Sequence, residues 1–227
     1  MLQTMSVGML RTGGIFFLTL LFSLPLGMVV MLLRKCRFKV IQNIMKVYIA
    51  IMRGTPLMLQ LLVWYFGPYY LWGANIRGYR FVAIIIGFTL NYAAYFAEIY
   101  RGGLESIAVG QYEAAEVLGY SKGQTFFKII LPQMIRLSIP NIGNTVIYLF
   151  KEGALGYTIG LHDVLGQAYY LNNRLMGAYA IDMYIALTLI YWPISVVLEK
   201  MFAFLEKKFN PKKRSGKKEI GGAVSEY

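Results

Sequence analysis

The chain has 227 residues, 57% of them hydrophobic, with a mean hydropathy of +0.51 and a formal net charge of +12. This composition excludes an ordinary soluble domain, and the length suits a single membrane domain. One cysteine, Cys36, excludes an intrachain disulfide, and its place among basic residues reads as a spectator thiol.

From Gly13 to Leu33 no charged side chain appears, and that run at helical rise covers about 31 Å, the thickness of a bilayer core. A cleaved signal peptide would carry Lys or Arg before a shorter apolar run. The first ten residues carry no charge, and the run ends in Arg34-Lys35-Cys36-Arg37-Phe38-Lys39. The expectation is a retained first span with its basic end in the cytoplasm. A second span is expected between Ile49 and Trp72, kinked where Pro56 removes a backbone donor in Arg53-Gly54-Thr55-Pro56. The third runs from Phe81 to about Tyr100, with Glu98 and Arg101 near its inner end.

A polar island, Glu113 to Pro132, follows. After it, the apolar stretch from Ile135 to Phe150 is broken by Pro140, Asn141, Gly143 and Asn144, so it reads as an interior helix rather than a lipid-facing one. The last span starts near Met183 and passes Leu198; residues 210–227 are expected to form a disordered basic tail. The expected class is therefore an all-α integral membrane protein of about five spans, with a membrane domain over 1–209. No internal repeat is visible in the sequence.

Charge supplies a topology. Eighteen of the 23 basic residues fall within 34–53, 101–136 and 200–218, which is the bias expected when those segments face the cytoplasm. The N-terminus is then outside and the C-terminus inside. Topology accounts for the basicity, and nucleic acid is not an expected partner.

The island, now cytoplasmic, reads as two helices around a sharp turn. Gln111 to Leu118 forms about two turns with Glu113 near the positive N-terminal end, and Gly119 can adopt the left-handed conformation that stops it. Ser121 with Gln124 three residues on makes a capping box for a second helix, bounded by Pro132. Ala114, Val117 and Leu118 share one face of the first helix, and Glu113 and Glu116 another. Such a helix suits a groove on a soluble partner or a place on the membrane surface.

Glu113-Ala114-Ala115, Gly119 and the closing Ile129-x-Leu131-Pro132 resemble the loop by which type I ABC importer permeases engage their ATPases. Arg53-Gly54-Thr55-Pro56-Leu57, the run Tyr95 to Gly103, and Gly110-Gln111 are similar to the subfamily that imports polar amino acids, and the likeness spans Thr12 to Phe209. The resemblance implies a five-helix core with a coupling loop at about 102–132. In that loop Glu113, Ala114, Ala115, Glu116, Gly119, Ile129, Leu131 and Pro132 would transmit motion. The implied partners are ABC ATPase subunits using ATP and magnesium, a second permease copy or homologue, an extracytoplasmic substrate-binding protein, a polar amino acid, and the lipid of the bacterial cytoplasmic membrane. Lys151-Glu152-Gly153-Ala154-Leu155 departs from the family, which commonly has hydroxyl residues at 153 and 154.

No Gly-x-x-x-x-Gly-Lys-Ser/Thr phosphate loop is present, so ATP hydrolysis is expected elsewhere and no cofactor is expected in this chain. Ionisable groups at membrane depth are costly unless paired or facing water, which makes Glu98, Lys151 and Glu152 candidates for the substrate path. Asn91, Asn141 and Asn144 join them as hydrogen-bonding groups. Glu98 can instead pair with Arg101, and the asparagines can bridge helices. The lone His162 lacks companions for a metal site. Trp64-Tyr65-Phe66, Tyr69-Tyr70, Trp72 and Tyr169-Tyr170 read as interfacial belts. An integral membrane enzyme working through Glu98 or His162, or a small channel, stands as the alternative to a transport subunit.

Overall fold

A computed structural model describes residues 2–73 and 78–209, with side chains from Ser6 onward; Arg77 and the basic tail lie outside the described residues. The described residues form helices throughout. α1 covers Leu2–Arg34, α2 Lys39–Gly54, α3 Leu57–Trp72, α4 Tyr79–Glu105 and α5 Gly110–Val117. A single turn, α6 (Lys122–Gln124), leads through a π-helical turn (Thr125–Ile130) into α7 (Leu131–Glu152). A 3₁₀ segment (Gly153–Ile159), α8 (Val164–Arg174) and α9 (Ala180–Phe209) complete the chain.

Among the described residues, Ser6–Arg34, Tyr79–Glu105 and Ala180–Phe209 are each long and apolar enough to cross a membrane. The α2–α3 pair meets that description only when joined, and it is bent by 109°. The second span expected from Ile49 to Trp72 is thus two helices meeting at Thr55, which adopts φ −118° and ψ 148° before Pro56. Steric clash with the proline ring drives the preceding residue out of the helical region, and a kink becomes a corner.

α1 and α4 share the longest packing seam, with α3 and α7 against the other sides of α4. Gly27 permits this seam: a Cβ there would lie 2.7 Å from the Phe96 Cβ and 3.0 Å from the Ala93 carbonyl oxygen. Ile15, Met31, Leu61, Ile84, Phe88, Phe96, Met134 and Leu149 fill the core between these helices. α9 leans on α7 and leaves nearly all of its remaining surface uncovered; only Leu187 is buried. α4 extends to Glu105, beyond the predicted end at Tyr100, and hands the chain to α5.

Candidate functional site

α5 is closed by a Schellman motif. The Tyr120 amide donates to the Ala115 carbonyl at 3.0 Å and the Gly119 amide to the Glu116 carbonyl at 2.9 Å, with Gly119 at φ +75°. The expected capping box is formed: the Ser121 amide donates to Gln124 Oε1 at 2.9 Å, and the Gln124 amide to Ser121 Oγ at 3.3 Å. Pro132 does not bound the second helix. The π turn places the Leu131 amide on the Phe126 carbonyl, five residues back, and this local widening lets the helix continue through a residue that lacks a donor.

Ala115 is buried, whereas Glu113, Ala114 and Glu116 face outward. Val117 is 87% exposed, and Leu118, Val109 and Phe127 are also exposed. Neither Glu113 nor Glu116 has an ion-pair partner among the described residues. Ile129 and Leu131 pack on the core, Pro132 is exposed, and Gln133 Nε2 donates to Gln111 Oε1 at 3.1 Å, tying α5 to α7. The element therefore presents apolar groups and two uncompensated carboxylates on a base held against the helix that follows, α7.

The other predicted residues fall into three places. Asn91 is buried on α4; its Nδ2 donates to the Met52 carbonyl at 2.8 Å and to Gln60 Oε1 at 3.0 Å. Gln60 Nε2 in turn donates to Met52 O at 3.0 Å and to Thr55 Oγ1 at 2.8 Å. In an uninterrupted helix Met52 O would accept from residue 56, which is proline and has no N–H. The two amides replace that missing donor.

Glu98 lies at the α5-side end of α4. It accepts from Arg101 Nη2 at 2.8 Å, forms an ion pair with Arg34 from α1, and has Arg53 from α2 at 3.7 Å. Its expected partner Arg101 is present, joined by cations from two further helices. Arg53 also stands over the Tyr95 ring at 5.3 Å.

Asn141, Asn144, Tyr148 and Lys151 form one exposed stripe on α7. Lys151 borders an open cleft of about 500 Å³ shared with Tyr184, Thr188, Tyr191, Trp192 and Ser195. Glu152 turns the other way and accepts from the Tyr92 hydroxyl at 2.6 Å. Lys151 and Glu152, adjacent in sequence, thus serve different surroundings.

Beyond α7, the loop before α8 is pinned to α1. Arg11 Nη1 donates to the exposed His162's carbonyl at 3.0 Å, and the Val164 amide to Thr12 Oγ1 at 3.3 Å. Asp163 caps α8 by accepting from the Gly166 amide at 2.7 Å. Burial pushes its carboxyl up to about 7 against the opposing pull of that amide. Sequence reasoning missed Gln60, Tyr92 and the arginines from α1 and α2. A lone amide four residues after Pro56 in an otherwise apolar helix was the available signal for Gln60.

The sequence model of the binding-protein-dependent transport system inner membrane component matches residues 23–211. The chain is 35% identical to the L-cystine transport system permease protein TcyL of Bacillus subtilis (strain 168), over 86% of this chain and 82% of that protein. It is also 35% identical to the arginine transport system permease protein ArtQ of the same organism, over 88% and 90% of the two chains. A chain in the crystal structure of an amino acid ABC transporter with histidines superposes with a TM-score of 0.82 at 30% identity, covering 91% of this chain and 94% of that one. The chain belongs to the family of binding-protein-dependent transport system inner membrane components: it is a membrane-embedded transport subunit of an ABC importer, and not an enzyme.

Proposed function

We propose that this chain carries a polar amino acid across a bacterial cytoplasmic membrane, driven by a separate ATPase that docks on α5. The observation that carries the reading is the surface of α5: exposed Val117, Leu118 and Val109 beside Glu113 and Glu116, which have no counter-charge among the described residues. The basic bias of 34–53 and 101–136 supports a cytoplasmic position for this surface, with the N-terminus outside. The relatives named for cystine and arginine transport support the substrate class.

Five crossings are read as α1, α3, α4, α7 and α9. The stripe Asn141, Asn144, Tyr148 and Lys151 is poorly suited to lipid, which supports a path formed when this face of α7 meets a second permease copy. Lys151 would meet the substrate carboxylate; Asn144 would hydrogen-bond it as it passes. Asn91, Glu98 and Glu152 would hold the helices that border the path. An extracytoplasmic binding protein would deliver the amino acid, and ATP with magnesium would act in the partner ATPase.

The test is reconstitution with a cognate ATPase and binding protein. Glu113→Lys and Gly119→Pro should each abolish ATP-driven amino-acid uptake and co-purification of the ATPase. Retention of both in either variant would remove the coupling role from α5.

A further inference from the structure

Viewed down its axis, α2 has three faces instead of two. Ile41, Met45, Tyr48, Ile49 and Met52 turn toward the bundle and are buried or half-buried, and Tyr48 donates its hydroxyl to the Leu90 carbonyl of α4. Val40, Ile44, Val47 and Ile51, spaced by four, three and four residues, form an exposed apolar stripe on one flank. Lys39, Asn43, Lys46 and Arg53 form an exposed polar strip on the other flank. A helix crossing a bilayer meets lipid all around its outer surface and has no use for a polar flank along its length. A helix lying against a bundle at the water boundary meets acyl chains on one flank and head groups and water on the other.

The fold places α2 at that boundary. α3 runs antiparallel to α4: Gln60 meets Asn91, Leu61 and Trp64 meet Gly87, and Tyr65 accepts from Arg80. The 109° corner therefore turns α2 across the direction of both helices. Arg34, just before α2, and Arg53, at its end, converge on the same carboxylate, Glu98, at the end of α4 that leads to α5. The chain thus leaves α1 and reaches the far end of α2 beside one carboxylate, so the segment between them makes no net crossing of the bilayer.

We propose that α2 lies in the plane of the leaflet on the α5 side and is a docking surface for anionic lipid. Its apolar stripe enters the acyl boundary, and Lys39 and Lys46, with Arg37 just before the helix, hold phosphate head groups. Charge complementarity chooses the occupant: the exposed cations flank the stripe on α2, and this helix contains no acidic residue to oppose an anionic surface. The corner at Pro56 then has a purpose, because it lets one continuous sequence leave the interface and enter the membrane at a right angle.

The experiment uses the assembled transporter, with its ATPase and second permease copy, in which Cys36→Ser removes the native thiol. Single cysteines at Val40, Ile44, Val47 and Ile51 carry nitroxide labels, and oxygen against nickel-chelate collision rates report depth. The vesicles are phosphatidylcholine alone or an equal mixture with phosphatidylglycerol. All four labels should sit at one shallow depth, about 5–10 Å below the head groups. A spanning α2 would separate Val40 from Ile51 by about 16 Å, and such a gradient overturns the proposal. Loss of oxygen access together with spin coupling between two copies also overturns it, because the stripe would then be a protein interface.

Spin-labelled phosphatidylglycerol should associate with the wild-type assembly more strongly than spin-labelled phosphatidylcholine, by up to about fivefold per lysine. That preference should fall toward unity in Lys39→Gln/Lys46→Gln. An unchanged preference overturns the lipid assignment. ATP-driven uptake is measured on every variant: a working transporter with deep labels sinks the interfacial reading alone, whereas a wild-type assembly without uptake sinks the proposed function.

Discussion

Two places where the helical chain is interrupted solve the same problem by different means. At Gly119 the carbonyls freed at the end of α5 are satisfied by amides three to five residues away, and the next helix is started by its own capping box. At Pro56 the freed Met52 carbonyl is satisfied by Gln60, eight residues on, and by Asn91, 39 residues on and in another helix. The first turn carries its instructions locally, so it can act as a self-contained knob on the surface. The second exists only when α2, α3 and α4 are assembled, so it belongs to the architecture of the bundle.

Breaking each turn should reveal that difference. The largest effect is expected at the corner: Gln60→Leu and Asn91→Leu each leave buried polar groups short of partners, at a cost of about 1–3 kcal/mol. In mixed-micelle unfolding, the double variant should depart from the sum of the singles by at least about 0.5 kcal/mol. Strict additivity would mean that the two amides do not share Met52 O.

Next is Gly119→Ala. No atom lies within 4 Å of the added Cβ, so the change acts through the left-handed backbone alone, about 1–2 kcal/mol. Because the turn is local, ATPase affinity should weaken while the melting temperature of the transmembrane bundle in detergent changes little. A bundle-wide loss of stability would show that the knob is not self-contained. Ser121→Ala removes one capping bond and should cost about 1 kcal/mol, read as weakened amide protection confined to residues 121–125. Protection lost equally in α7 would contradict the local assignment.

A separate, pH-dependent effect concerns a third cap, Asp163. Its folded-state carboxyl titrates at about 7, above the ordinary value of 3.8. The folded chain therefore holds this proton more tightly than the unfolded chain does. The stabilisation is complete below pH 3.8 and is lost as pH rises through 7. Thermal stability in detergent should fall between pH 5 and 8 by more in the wild type than in Asp163→Asn. Parallel profiles would show that Asp163 is ionised when folded.

The legible parts of the fold are those encoded over short distances. Glycine at the left-handed position, Ser121 with Gln124, and the uncharged run from Gly13 to Leu33 each declare their structure within a few residues. The sharpness of the corner at Pro56 escaped because a proline alone predicts a kink; a full turn needs remote donors, and Asn91 could be read as a bridge between helices or as a substrate contact without naming its partner. Pro132 looked like a terminus because its missing N–H was visible, whereas the π turn that accommodates it depends on how Thr125 and Ile130 pack. Glu98 and Arg101 could be paired from their spacing, but the arrival of Arg34 and Arg53 required the three-helix junction itself.

The central claim is that the outward face of α5 seats the ATPase. In the Cys36→Ser background, single cysteines at Val117 and at the buried Ala115 place a thiol on opposite sides of that helix. With the assembled transporter and a short bifunctional thiol reagent, Val117→Cys should cross-link to the ATPase in high yield and Ala115→Cys should not. Equal yields from the two positions, or none from Val117→Cys in an assembly that still transports, would contradict the account.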